Sequence, residues 1–147
     1  MKGQDYQISI TVNATAHEAF KSISSVSQWW TEDLEGSSQK LNDEFTVRFG
    51  DIHASKQKLI EVIPDKKVVW LVTDSKLNFL EDKREWTNTK IVFEILTRNN
   101  RTQIRFTHIG LVREAECYDS CVKGWDQYIK GSLFKLLIKG KGTPALK

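Results

Sequence analysis

From residue 5 to residue 12 the chain alternates without a break, with Tyr6, Ile8, Ile10 and Val12 on one face and Asp5, Gln7, Ser9 and Thr11 on the other. A period of two predicts a half-buried strand. Thr15 and Glu18 then stand in capping-box spacing before Ala19, Phe20 and Ile23, and Ser25 and Gln28 repeat the spacing before Trp29 and Trp30. Two short helices are expected there. Residues 31–42 are polar, with Gly36, Ser37 and Ser38, and read as a loop. Alternation returns over 44–49, where Phe45, Val47 and Phe49 point inward. A turn near Gly50 and Asp51 feeds a strand through Ile63, which Pro64-Asp65 ends.

Residues 67–74, KVVWLVTD, are apolar on both faces, the pattern of a central strand whose outer side is also partly covered. Residues 75–88 hold Phe79 and Trp86 amid charges and read as a loop or short edge strand. Strands over 89–98 and 101–110 are joined by Asn99-Asn100, which tolerates the positive φ of a two-residue hairpin. In the second of these strands Ile104, Phe106 and His108 share the inward face. The chain closes on a long amphipathic pattern in which Tyr118, Cys121, Trp125, Tyr128, Ser132 and Leu136 recur at steps of three and four, widened by Ile129, Leu133 and Leu137. It predicts a helix from near Glu114 to before Gly140, about 35–40 Å long. Gly140, Gly142 and Pro144 stop it, and Lys135, Lys139 and Lys141 suit its negative end.

The order of strand, two small helices, antiparallel strands and long C-terminal helix is α+β and resembles the helix-grip fold of the START-like (SRPBCC, Bet v 1-like) superfamily. SQWWTEDLEG, EVIPDKKVVW, TKIVFEI with RTQIRFTHIGL, and CVKGWDQYIKGSLFKLLIKGKGTP are similar to the bacterial branch named for the activator of the heat-shock-protein-90 ATPase. The resemblance spans nearly the whole chain and implies a single domain, 1–147, with a curved sheet wrapped on the helix. It also implies a cavity between the two. Superfamily members include lipid carriers, hormone receptors, aromatic-polyketide cyclases and chaperone regulators, so the fold alone assigns no activity.

Composition sharpens this in one respect. With 147 residues, 28% charged and 39% hydrophobic, the chain is ordinary for a globular domain, and a net charge of +3 without a basic stripe argues against nucleic acid. Five Trp and seven Phe are unusual, and such rings either fill a core or line a cavity. Placed on the helix-grip fold, the inward positions nominate Trp70, Phe93, Phe106, His108, Cys121, Trp125 and Tyr128 as ligand-binding, with Trp30 and Phe79 at the mouth. An apolar or aromatic small molecule is the expected partner. A protein-interaction module acting on a chaperone and a cyclase- or hydrolase-like enzyme are the alternatives.

Reactive chemistry is sparse. Cys117 and Cys121 stand four apart, and a tetrahedral zinc would need two further ligands, of which only His108 is conceivable, since His17 belongs to the first helix and His53 to a separate strand. No metal, cofactor or catalytic residue is expected. No run is long enough to span a membrane and no signal-peptide stretch opens the chain, so a cytoplasmic location and reduced thiols are expected. Regular helix geometry, which does not bring i and i+4 sulfurs to bonding position, supports free thiols.

Overall fold

The computed structural model describes residues 4–146, so the expected domain limits at 1 and 147 lie outside them. Among these residues, β1 (Tyr6–Val12), β2 (Leu34–Gly36), β3 (Glu44–Phe49), β4 (His53–Ile63), β5 (Lys67–Leu77), β6 (Lys90–Arg98) and β7 (Arg101–Ile109) form one antiparallel sheet in the order β1-β7-β6-β5-β4-β3-β2. Helix α1 (Ala16–Ser24) follows β1, and a long C-terminal helix packs across the concave face. The sheet is curved because β4 and β5 are out of step twice: Ile60 and Thr73 have no cross-strand partner, and each extra residue bends its strand.

Local sequence accounts for most boundaries. Thr15 Oγ1 accepts the Glu18 amide at 3.0 Å while the Glu18 carboxylate accepts the Thr15 amide at 3.0 Å, completing the box that starts α1. Asn99 and Asn100 take φ of 53° and 63°, so the β6–β7 hairpin turns in two residues. Ser25 behaves differently from expectation. Its hydroxyl donates back to Lys21 O at 2.9 Å, and the second short helix is a single 3-10 turn, Val26–Gln28. Strand β2 interrupts the expected loop, and β5 runs to Leu77, beyond the apolar stretch.

The long helix comprises α2 (Tyr118–Trp125), a π-helical stretch over Asp126–Leu133 and α3 (Phe134–Lys139), with helical dihedrals through both junctions. One series of buried residues recurs every four positions, at Cys117 just before the helix and at Cys121, Trp125, Ile129 and Leu133 within it, with Ser132 and Leu136 buried beside them. An ideal α-helix rotates such a series by about 40° per step, whereas wider i→i+5 turns bring it back toward the sheet. Under-winding keeps one stripe facing one wall. Gly140 ends α3 with φ 78°.

Beyond it the chain returns as a strap. Ala145 N donates to Trp30 O at 2.9 Å, Glu32 N donates to Ala145 O at 2.8 Å, and Thr143 N donates to Ser132 Oγ at 2.7 Å. Gly142 permits the return, because a Cβ there would lie 2.5 Å from Gln28 O and 3.0 Å from Ser132 O. Gly142→Ala is therefore expected to cost roughly 1–3 kcal/mol by overpacking against backbone. Hydrogen exchange should show the amides of Glu32 and Ala145 losing protection together; unchanged protection would mean the strap does not depend on this approach.

Candidate functional site

Trp30, delivered by the 3-10 turn, touches all four other tryptophans. Its ring stacks on Trp125 at 5.0 Å, Trp70 at 5.8 Å, Trp29 at 6.1 Å and Trp86 at 6.5 Å between centroids, and Trp86 lies on Trp125 at 5.7 Å with planes 9° apart. These spacings are those of favourable aromatic contacts. The stack joins the sheet, the loop after β5 and the long helix in one wall.

Two histidines are built into this wall. Thr89 Oγ1 donates to Trp86 O at 2.6 Å, so toward His108 Nε2, 2.9 Å away, it acts as acceptor. On the other side of the ring Trp125 Nε1 donates to His108 Nδ1 at 3.0 Å. His108 is thus neutral, with its proton on Nε2, and burial together with the nearby His53 holds its pKa down at about 3. His53, at the start of β4, has Nε2 2.9 Å from Ser55 Oγ, which accepts from Gln57 Nε2 at 2.6 Å. Burial lowers its pKa to about 4. The Trp86 ring stands edge-on to both imidazoles, at 4.8 Å from each.

In front of this wall, between β3–β4, the loop after β5 and the helix, is a cavity of about 530 Å³. Trp30, Phe79, Cys121, Trp125 and Tyr128, nominated from sequence, line it. Trp70, Phe93, Phe106 and His108 sit a layer behind, each fully buried: Phe106 packs on Trp125 at 4.6 Å and on Phe93 at 5.3 Å, and Trp70 on Phe93 at 4.9 Å. The strap supplies Ala145 and Leu146 to the mouth, and Phe49, His53, Trp86 and Gly124 complete the lining that sequence reasoning did not assemble. Phe49 was legible as an inward strand residue. Trp86 was not, because a distant contact places it: the Glu85 carboxylate accepts the amides of Glu116 and Cys117 at 2.8 and 2.9 Å, while Glu116 accepts those of Glu81 and Asp82. This exchange ties the residues just before α2 to the loop beside them.

The cysteines correct an expectation. Cys117 and Cys121 are joined in a disulfide, with Cα atoms 5.6 Å apart. Cys117 is the N-cap of α2 and Cys121 N donates to its carbonyl at 2.8 Å, so the pair spans the first turn of the helix, with its Cα separation in the bridging range. Among the described residues no group of His, Cys, Asp or Glu is arranged to hold a metal. A further depression of about 580 Å³, between the start of α1 and the β6–β7 turn, is lined mainly by polar surface residues, and Thr15 and Glu18 already satisfy the cap there.

The model of the family described as "Activator of Hsp90 ATPase homolog 1-like protein" matches residues 13–137. Among solved structures, the Aha1 dimer from Colwellia psychrerythraea is 25% identical, with a TM-score of 0.76 over 95% of this chain and 99% of that one. Protein MLL2253 from Mesorhizobium loti, 11% identical, has a TM-score of 0.74 over 95% of this chain and 100% of its own. Protein SSP2350 from Staphylococcus saprophyticus, 12% identical, gives 0.69 over 97% and 98%. The latter two likenesses concern the fold alone. No curated protein matches the sequence. No helix among the described residues is long and apolar enough to cross a membrane.

His108, fully buried, and His53, half-buried at the cavity, give stability a defined pH dependence. Both are neutral when folded, with depressed pKa values of about 4 and about 3, whereas an unfolded histidine titrates near 6.5. Their contribution is therefore complete above about pH 6.5 and is lost as pH falls toward 4. Denaturant unfolding at steps from about pH 7.5 to 4.5 should show stability declining with an uptake of about two protons on unfolding. A flat profile over that window would mean that the imidazoles are not buried as described.

Proposed function

We propose that the chain, which belongs to the Activator of Hsp90 ATPase homolog 1-like family, binds a flat apolar or aromatic small molecule in the cavity between its sheet and its C-terminal helix. One observation carries this reading: about 530 Å³ of space lies against stacked aromatic rings that are already fully engaged on their other sides, within the size range of small-molecule sites. Phe49, Phe79 and Tyr128 offer ring surface in front of the buried Trp30, Trp86 and Trp125, and among the described residues no lining residue carries a formal charge at neutral pH. Catalysis gains less support, since among the described residues no carboxylate lines the cavity.

A second reading, docking of a protein partner, draws on the mouth, where Ile52, Phe79 and Leu146 are 59%, 45% and 82% exposed. Exposed apolar rims of this kind suit either a ligand entrance or a protein contact. The Colwellia relative is described as a dimer, which makes a second copy one such partner.

Gly124 separates the readings. It lies on the helix face that lines the cavity, and a Cβ there would meet nothing within 4 Å. Gly124→Leu should fill the cavity while folding normally, since leucine also has the better helix propensity by about 0.8 kcal/mol. Thermal-shift and calorimetric screening with planar aromatic hydrocarbons should give saturable binding to the wild type and at least about tenfold weaker binding to the variant. Equal binding to both would place the ligands elsewhere, and no binding to either would remove the small-molecule reading.

A further inference from the structure

The disulfide is poorly placed to act as a staple. Cys117 and Cys121 belong to one helical turn, already closed by the hydrogen bond from Cys121 N to Cys117 O, so the cross-link joins no two elements of the fold. A disulfide stabilises a protein chiefly by restricting the unfolded chain, and least when the loop it closes is as short as this one. What distinguishes the bond is its position. Cys121 belongs to the cavity lining, whereas Cys117 is sealed at 1% exposure beside the loop after β5, its amide held by the Glu85 carboxylate.

The two ends therefore differ in their freedom to move. Two thiols need roughly 1.5–2 Å more between their sulfurs than a disulfide does. Behind Cys117 there is no room, because its side chain is enclosed and its backbone is held at both ends, the amide on Glu85 and the carbonyl on Cys121 N. Open space lies on the side of Cys121, toward Ser120 and Gly124. Opening the bond thus turns the Cys121 sulfur into the cavity and leaves Cys117 in the core.

We propose that Cys117–Cys121 is an exchange-active pair, opened at Cys121 by a low-molecular-weight thiol that enters the cavity and stays there as a mixed disulfide. The incoming thiolate bonds to Cys121 Sγ as the bond to Cys117 breaks, and the electron pair leaves on Cys117 Sγ, which takes up the proton that the incoming thiol released. One disulfide replaces another, with no net oxidation. A second thiol attacks the sulfur of the attached group and frees Cys121, so that in total two small thiols are oxidised to their disulfide and the protein pair is reduced by two electrons. The inference rests on the open cavity of the reading above but not on the aromatic ligand proposed there.

Intact-mass and peptide-mass measurements test it, with tryptophan emission confirming that the chain stays folded. Wild-type protein in 2-mercaptoethanol, quenched with acid, should carry the mixed disulfide on Cys121. In single-cysteine variants treated with bis(2-hydroxyethyl) disulfide, Cys121 of Cys117→Ser should react at least about tenfold faster than Cys117 of Cys121→Ser, and adding Gly124→Leu to the former should slow it about as much. In denaturant all three should react alike. An adduct on Cys117, equal rates in the folded variants, indifference to Gly124→Leu, or a wild-type bond that opens only on unfolding would each overturn the inference. Should Gly124→Leu exclude planar hydrocarbons yet leave exchange at Cys121 unchanged, the inference fails and the small-molecule reading stands; should hydrocarbons bind neither protein while exchange remains sensitive to Gly124→Leu, the reverse holds.

Discussion

The structure depends on the position of the Trp30 ring. It stacks on indoles contributed by the sheet, the loop after β5 and the long helix, while its carbonyl receives the strap that follows the helix. Aromatic rings bury large areas with few rotatable bonds, so a stack held from several directions is stiff as well as apolar. Stiffness is what leaves space in front of it. A wall of aliphatic side chains could repack to close a void, whereas rings fixed by neighbours on their far side have little freedom to move into it.

Two departures from regular geometry bring the wall and the helix together. The unpaired residues Ile60 and Thr73 bend the sheet, and π-helical turns keep Trp125, Ile129 and Leu133 facing it. Polar groups are then enclosed with their partners: Thr89 and Trp125 saturate both nitrogens of His108. His53 differs in having, among the described residues, a partner on one nitrogen only. The first histidine is part of the core, whereas the second lies at the edge of the cavity.

Most of the sheet was legible because its signals are local. The β6–β7 turn needs only Asn99-Asn100, the inward face of β7 needs only alternation, and the start of α1 needs only Thr15 and Glu18. The step of four between Cys121, Trp125, Ile129 and Leu133 was also in the sequence, although its consequence, an under-wound helix, emerges only once all of them must face one wall. Trp86 and the disulfide were hidden for a different reason. Both depend on where the segment before α2 meets the loop after β5, a contact with no periodicity, made by Glu85 and Glu116 across more than thirty residues of chain. Sequence patterning likewise gives the inward face of a strand but not its depth, which is why Trp70, Phe93 and Phe106 belong to the layer behind the cavity wall.

The central claim, that the aromatic wall borders open apolar space, can be tested without knowledge of any ligand. Diffraction from a crystal pressurised with xenon, which occupies apolar voids, should show ordered xenon bounded by Trp30, Trp86, Trp125 and Tyr128. A map without xenon there, in which the rings of Phe49 and Tyr128 have closed onto Trp30 and Trp125, would contradict the account and make the stack a collapsed core.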